Sequence, residues 1–119
     1  MKAAMEKALR RNQRRRVPRI SIDIPVILIS GKKKFPCRAG QLSEFGIFVT
    51  SPHHELVGKN IRIDLTLEPP ETALSLTGIV IHSVESGTGI RFEDVTPEQR
   101  RSLERYVRAR GIGIVKPKS

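Results

Sequence analysis

Three stretches of this chain place apolar residues on alternate positions, and a period of two restricts them to half-buried strands. In the first, Ile20, Ile22, Ile24, Val26 and Leu28 alternate with Ser21, Asp23 and Pro25. In the second, Ile61, Ile63, Leu65 and Leu67 alternate with Arg62, Asp64 and Thr66. The third runs through Leu74, Leu76, Gly78, Val80, His82 and Val84. Shorter candidates lie at Phe35–Leu42, Gly46–Ser51 and Thr88–Phe92. Turns are expected at Gly31-Lys32-Lys33-Lys34, Ser43-Glu44-Phe45-Gly46, Pro52-His53-His54, Pro69-Pro70 and Ser86-Gly87. Pro25 cannot donate to a ladder, so an edge or a bulge is expected there. Six short strands with turns at this spacing make a small antiparallel barrel or sandwich.

One helix closes the pattern. Thr96 is a good N-cap, Pro97 suits the first helical position, and Gln99 completes a capping box. Leu103, Tyr106, Val107 and Arg110 share a face that packs over the barrel, and Gly111 is the expected stop. Residues 1–13 have the composition of a short, marginal helix. The expected division is therefore a basic arm over 1–13, a barrel with its helix over 14–110, and a tail over 111–119.

With 119 residues the chain has room for one small domain, and its core must be aliphatic, with no Trp, one Tyr and four Phe. No apolar run of 18 residues is present, so no membrane-spanning helix is expected. The first 16 residues lack the apolar segment of a secretory signal. A single cysteine, Cys37, makes neither an internal disulfide nor a cysteine metal cage. A reducing, cytoplasmic setting is the expectation.

Charge is more telling. The formal net charge is +10, and residues 1–19 hold eight basic residues and one acid. The remaining 100 residues carry 14 basic and 11 acidic groups, which is nearly balanced. Such an arm calls for an anionic partner, or else it is a solubilising tail. Its mutual repulsion predicts mobility until a ligand offsets it. In Arg14-Arg15-Arg16-Val17-Pro18-Arg19, Pro18 holds Val17 extended. Guanidiniums grip a phosphate or the O6/N7 edge of guanine bidentately and stack on bases. Catalysis is not expected: there is no phosphate-binding loop, dinucleotide fingerprint or nucleophile elbow. His53-His54 read as surface residues, His82 as a satisfied barrel residue, and Cys37 as a small hydrophobe.

Arg15-Arg16-Val17-Pro18-Arg19 resembles the RxxxR element of the PilZ domain family. Gln41-Leu42-Ser43-Glu44-Phe45-Gly46 falls where that family carries (D/N)xSxxG, and Ile47-Phe48-Val49 continues as its strand does. Thr88-Gly89-Ile90-Arg91-Phe92, then Asp94-Val95-Thr96 and a helix, resembles the family's closing elements. The resemblance covers roughly residues 14–110. It implies a mainly β fold, a six-stranded antiparallel barrel with a C-terminal α-helix and a basic, flexible N-terminal arm. It further implies a non-enzymatic bacterial receptor for cyclic di-GMP, without cofactor or metal, acting in motility or biofilm regulation. Arg15 and Arg19 would be the paired arginines, Ser43 would donate its hydroxyl to the ligand, and Gly46 would permit close backbone approach. Arg14 would help hold a second, stacked ligand molecule. The arm would close over the ligand and present a surface to a protein partner.

One position departs from the pattern. Gln41 stands where the family has Asp or Asn, and its extra methylene carries the amide oxygen about one bond further out. A misplaced acceptor costs roughly 1–3 kcal/mol. The family also contains members that have lost the ligand and act through protein contacts, so a ligand-independent adaptor is the alternative. Nucleic acid is disfavoured as a partner, because barrels that bind single strands use stacking aromatics and this chain has few.

Overall fold

The computed structural model describes residues 19–68 and 71–115. The arm and the Pro69-Pro70 turn lie outside these residues, as do Arg14 and Arg15. Six strands follow one another: β1 (Ile20–Ser30), β2 (Lys33–Leu42), β3 (Gly46–Val49), β4 (Asn60–Leu67), β5 (Thr72–Val84) and β6 (Gly87–Glu93). They close into an antiparallel barrel in the order β1-β2-β3-β6-β5-β4. A single helix, α1 (Pro97–Val115), follows.

The expected alternation is what fills the barrel. Ile20, Val26 and Leu28 of β1 point inward, as do Ile61, Ile63, Leu65 and Leu67 of β4. Leu74, Leu76 and Val80 of β5 complete the aliphatic interior with Ile90 and Phe92 of β6. After β3 the chain crosses one end of the barrel through a short 3₁₀ turn, His54–Leu56, that alternation did not reveal. Leu56 is buried in the core, and the Gly58 N–H donates to the Val80 carbonyl at 2.8 Å, tying the crossing to β5.

Pro25 meets its expectation as an edge position: it is in regular register with Arg38 of β2 but has no partner in β4. The β1–β2 register slips between Ser21 and Ile24, and β1 pairs with β4 only over Val26–Ile29. Pro25 therefore sits where pairing to β4 stops and no donor is needed.

Asp94 turns the chain from β6 into the helix with φ 55, a conformation that aspartate tolerates better than most residues. The capping box is formed. Thr96 Oγ1 accepts from the Gln99 N–H at 3.1 Å, and Gln99 Oε1 accepts from the Thr96 N–H at 3.0 Å. Gln99 Nε2 also donates to the Ser75 carbonyl at 3.0 Å, which ties the helix start to β5. Leu103, Tyr106 and Val107 are buried on the barrel, while the Arg110 guanidinium lies 4.6 Å from the Tyr106 ring centre.

The stop expected at Gly111 is not used. The helix continues to Val115, so the boundary expected between 110 and 111 falls inside it. Each glycine within a helix costs about 1 kcal/mol, and the helix runs through both Gly111 and Gly113.

Cys37 faces inward on β2 and is partly buried. Burial pushes its thiol up to about 11 from 9.0, and a hydrogen bond with Ser51 offsets part of this. The thiolate fraction near neutral pH is then about a hundredfold below that of an ordinary cysteine. Alkylation by iodoacetamide should be slow in the folded protein and keep rising with pH beyond 9. It should become fast when the protein is denatured. For the helix, Thr96→Ala should lower stability by about 1 kcal/mol, measured by urea unfolding.

Candidate functional site

Three register slips shape the outside of the barrel. In β2, Phe35, Cys37 and Ala39 face inward, but so does Leu42, because Gly40 is an extra residue opposite β3. Without that bulge Gln41 would point into the core and Leu42 out of it. In β5, Val80 faces inward, and the register against β6 then slips by one residue before His82. The slip leaves both Ile81 and His82 exposed. It corrects the expectation for His82, which lies on the outer surface and not within the barrel. The third slip is the β1 bulge between Ser21 and Ile24.

Between the β2 and β5 bulges runs one row of partners across four strands. Gln41 pairs with Phe48, Phe48 with Gly89, and Gly89 with His82. With strands spaced about 4.8 Å apart, the row spans roughly 14 Å. It forms part of a groove of about 980 Å³. Of the predicted site residues, Arg19, Gln41, Ser43 and Gly46 all line this groove. Arg14 and Arg15 lie outside the described residues.

Arg19 directly precedes β1 and is exposed, and among the described residues no carboxylate pairs with it. Gln41 is likewise exposed. Ser43 is almost fully buried at the turn between β2 and β3. Its Oγ accepts from the N–H groups of Phe45 at 3.1 Å and Gly46 at 3.2 Å. Its own N–H donates to the Gly46 carbonyl at 3.0 Å. The two acceptor sites of the hydroxyl are thus taken by the turn, while its hydrogen stays free to donate. Ser43 builds the turn and keeps a donor at the groove.

Gly46 also has a structural reason. It pairs with Arg91 of β6, and a methyl at Gly46 would stand 2.6 Å from the Ile90 carbonyl oxygen. The close approach that demands glycine here is that of β6. The rest of the turn is fastened from outside. The Phe92 N–H donates to the Phe45 carbonyl at 2.8 Å. The Arg100 guanidinium of α1 lies 4.9 Å from the Phe45 ring centre and 3.9 Å from Glu44.

Sequence reasoning missed Phe45, Phe48, His82 and Arg91, which share the groove. Arg91 was within reach, since it alternates with buried Ile90 and Phe92. Its guanidinium contacts Glu93 at 3.2 Å. His82 was not, because its exposure depends on the bulge. No Asp or Glu lines the groove, and two arginines do. A second groove, of about 820 Å³, lies between β1, β4, β5 and α1 and carries Asp23, Asp64 and Glu68. Those carboxylates disfavour an anion there. Asp64 is held below the usual carboxylate range by its hydrogen bond from Arg62, with Ser75 assisting.

His53 has a packing role. Its Nε2 lies 2.9 Å from Ser51 Oγ, its N–H donates to Ser83 Oγ at 2.8 Å, and its ring meets Phe35 edge-on at 5.5 Å. Among the described residues no group of His, Cys, Asp and Glu is placed to hold a metal ion. No described helix is long and apolar enough to cross a membrane.

The fold and this groove define a PilZ-type barrel. The profile of the PilZ domain matches residues 13–109, and the chain belongs to that family. No curated protein matches it by sequence. Among solved structures it is similar to the PilZ domain of YcgR from Escherichia coli with cyclic di-GMP, at 19% identity and TM-score 0.68, covering 88% of this chain and 96% of that one. It is also similar to the PilZ domain of CeSA from a cellulose-synthesizing bacterium, at 21% identity and TM-score 0.63, covering 76% and 95%. The inhibitor of motility MotI/DgrA from Bacillus subtilis matches at 14% identity and TM-score 0.68 over 82% of this chain, which spans 51% of that protein.

The Gly46 geometry makes a prediction that does not involve ligand. Gly46→Ala should destabilise the barrel by about 1–3 kcal/mol, because the added methyl meets a backbone carbonyl that cannot move aside cheaply. Thermal unfolding without ligand measures this.

Proposed function

We propose that this protein is a non-enzymatic receptor for cyclic di-GMP. The observation that carries the reading is convergence. Arg19, from the arginine element, and Gln41, Ser43 and Gly46, from the second element, line one groove without carboxylates. A ligand bearing two phosphates and two guanines suits such a groove. Guanidinium groups take phosphates and guanine O6/N7 edges bidentately, and the Ser43 hydroxyl has a hydrogen to give. The YcgR structures with cyclic di-GMP support the same ligand for this barrel.

In this reading the domain runs from residue 14 into the helix. Arg15 joins Arg19 on the ligand, and Arg14 serves a second, stacked molecule. The basic arm, which accounts for most of the net charge, closes over the dianion. The closed arm and barrel then present a surface to a protein partner in the cytoplasm. Motility or biofilm control is the setting that the MotI and CeSA similarities favour.

A second reading rests on Gln41, whose longer side chain sits at the acceptor position of the groove. In that reading the domain is a ligand-independent adaptor acting through protein contacts.

Calorimetric titration with cyclic di-GMP separates the two. The receptor should bind in the micromolar range or tighter. Arg15→Ala and Arg19→Ala should each weaken binding by about 1–3 kcal/mol, with the fold checked by circular dichroism. Gln41→Asp should tighten it by up to about tenfold, and Gln41→Asn by less, because a charged acceptor makes the stronger hydrogen bond. An adaptor would show no binding in wild type or in either Gln41 variant. Unchanged binding in both arginine variants would refute the site assignment.

A further inference from the structure

The start of β1 lies between the two grooves. Arg19 lines the first, Ser21 lines the second, and the grooves share no residue. The second groove marks a place where the barrel interior is left open. Ile22 and Ile24 alternate with exposed Ser21, Asp23 and Pro25 and pack against the core, as Val26 and Leu28 do. Yet Val26 is 2% exposed and Leu28 0%, whereas Ile22 and Ile24 are only partly buried. The cause is the seam. β1 pairs with β4 only over Val26–Ile29, so among the described residues no strand covers Ser21–Pro25 on that side. The groove lining combines Ile22, Ile24 and Tyr106 with the carboxylates of Asp23, Asp64 and Glu68. Arg38 pairs with Asp23 and Arg62 with Asp64, and a paired carboxylate keeps lone pairs for a second cation. Glu68 has no ion pair among the described residues. Arg110, the one cation among the described lining residues, donates to the Glu68 backbone carbonyl.

The chain itself supplies a segment of matching character. On a helical period, Met1, Ala4, Met5, Ala8 and Leu9 share one face, with Lys2 at one margin and Lys7 and Arg11 at the other. A helix this short is marginal alone and needs a surface to form on. Over residues 1–13 it would be about 20 Å long, close to the length of strand from Ser21 to Ile27 that lines the groove. Residues 14–19 can span about 20 Å, enough to turn the arm back along β1. We infer that residues 1–13 dock as this helix along the open β1–β4 seam when no ligand is bound. The apolar face covers Ile22, Ile24 and Tyr106, and the basic margins meet Asp23, Asp64 and Glu68. Cyclic di-GMP then releases the helix, because Arg14, Arg15 and Arg19 engage it in the other groove and a linker this short leads to one groove or the other. Release bares the seam, which ties ligand binding to a change of surface. The release, unlike the docking, rests on the receptor reading.

The full chain, labelled for NMR, tests this first without ligand. The methyl groups of Met5 and Leu9 should show cross-relaxation to the ring of Tyr106, the single tyrosine of the chain. Amides of residues 4–11 should exchange about tenfold more slowly than in an unstructured chain, which corresponds to roughly nine-tenths docking. Leu9→Asp should abolish both signals and leave exchange in β4 and β5 unchanged. Glu68→Lys should lower the protection by about two- to fivefold, the order of one exposed ion pair. Docking is overturned if the arm amides are unprotected, or protected without contact to Ile22, Ile24 or Tyr106. It is also overturned if those contacts arise only between labelled and unlabelled molecules, which would seat a second copy's arm in the groove. Cyclic di-GMP is then added. The Tyr106 contacts should vanish, and Leu9→Asp, freed of the competing docked state, should bind about tenfold more tightly than wild type. If wild type binds and the contacts persist, or if Leu9→Asp binds no more tightly, release is overturned and docking stands. If wild type does not bind cyclic di-GMP, the receptor reading and the release fall together, and the ligand-free contacts alone decide the docking.

Discussion

One extra residue in β2, at Gly40, decides which side chains face outward at the site. Side chains alternate with a period of two, so one inserted residue exchanges the inner and outer faces for everything beyond it. Here it turns Leu42 into the core and Gln41 to the surface. The matching slip in β5 exposes Ile81 and His82 in the same way. Because the two bulges lie at opposite ends of one row of paired residues, the polar groups they expose share a groove and do not scatter around the barrel. The site therefore depends on backbone register before it depends on any side-chain contact.

The barrel can hold such irregularities because its interior is aliphatic and closely filled. Leu28, Ile63, Leu76 and Leu103 are almost completely excluded from water. The β1–β4 ladder covers only Val26–Ile29, a short part of β1. Tyr106 and Arg110 of the helix line the groove beside that seam. Arg110 reinforces the position by donating to the Glu68 carbonyl. The helix is thus part of the barrel's closure, which explains why its start is held by the Thr96–Gln99 box and by Ser75.

Charge separates the two grooves on the surface. The one holding Arg19 contains no acidic side chain, whereas the other carries three carboxylates. The exposed ion pairs, such as Arg38–Asp23 at 2.6 Å and Arg62–Asp64 at 2.9 Å, lie away from Arg19 and contribute little to stability individually. The Ser43–Gly46 turn is rigid by construction. Its backbone donors are satisfied by the serine hydroxyl, and its phenylalanine is fixed under Arg100. A turn already held in this way loses little freedom when a ligand arrives.

The sequence by itself determined the strand content, the capping box, the aliphatic core and the two elements of the site. Each is a local property: alternation follows from the pleat, a cap from residues three apart, and a motif from side-chain type. What only the tertiary structure decided depends on register and on packing between distant segments. His82 looks buried in an alternating run, and only the slip against β6 brings it to the surface. Gly46 looks like a concession to a ligand, yet the Ile90 carbonyl of a strand more than forty residues away already forbids a side chain there. Gly111 looks like a stop, but the helix runs through both it and Gly113. In each case the outcome is set by which backbone lies alongside, and local sequence does not carry that information.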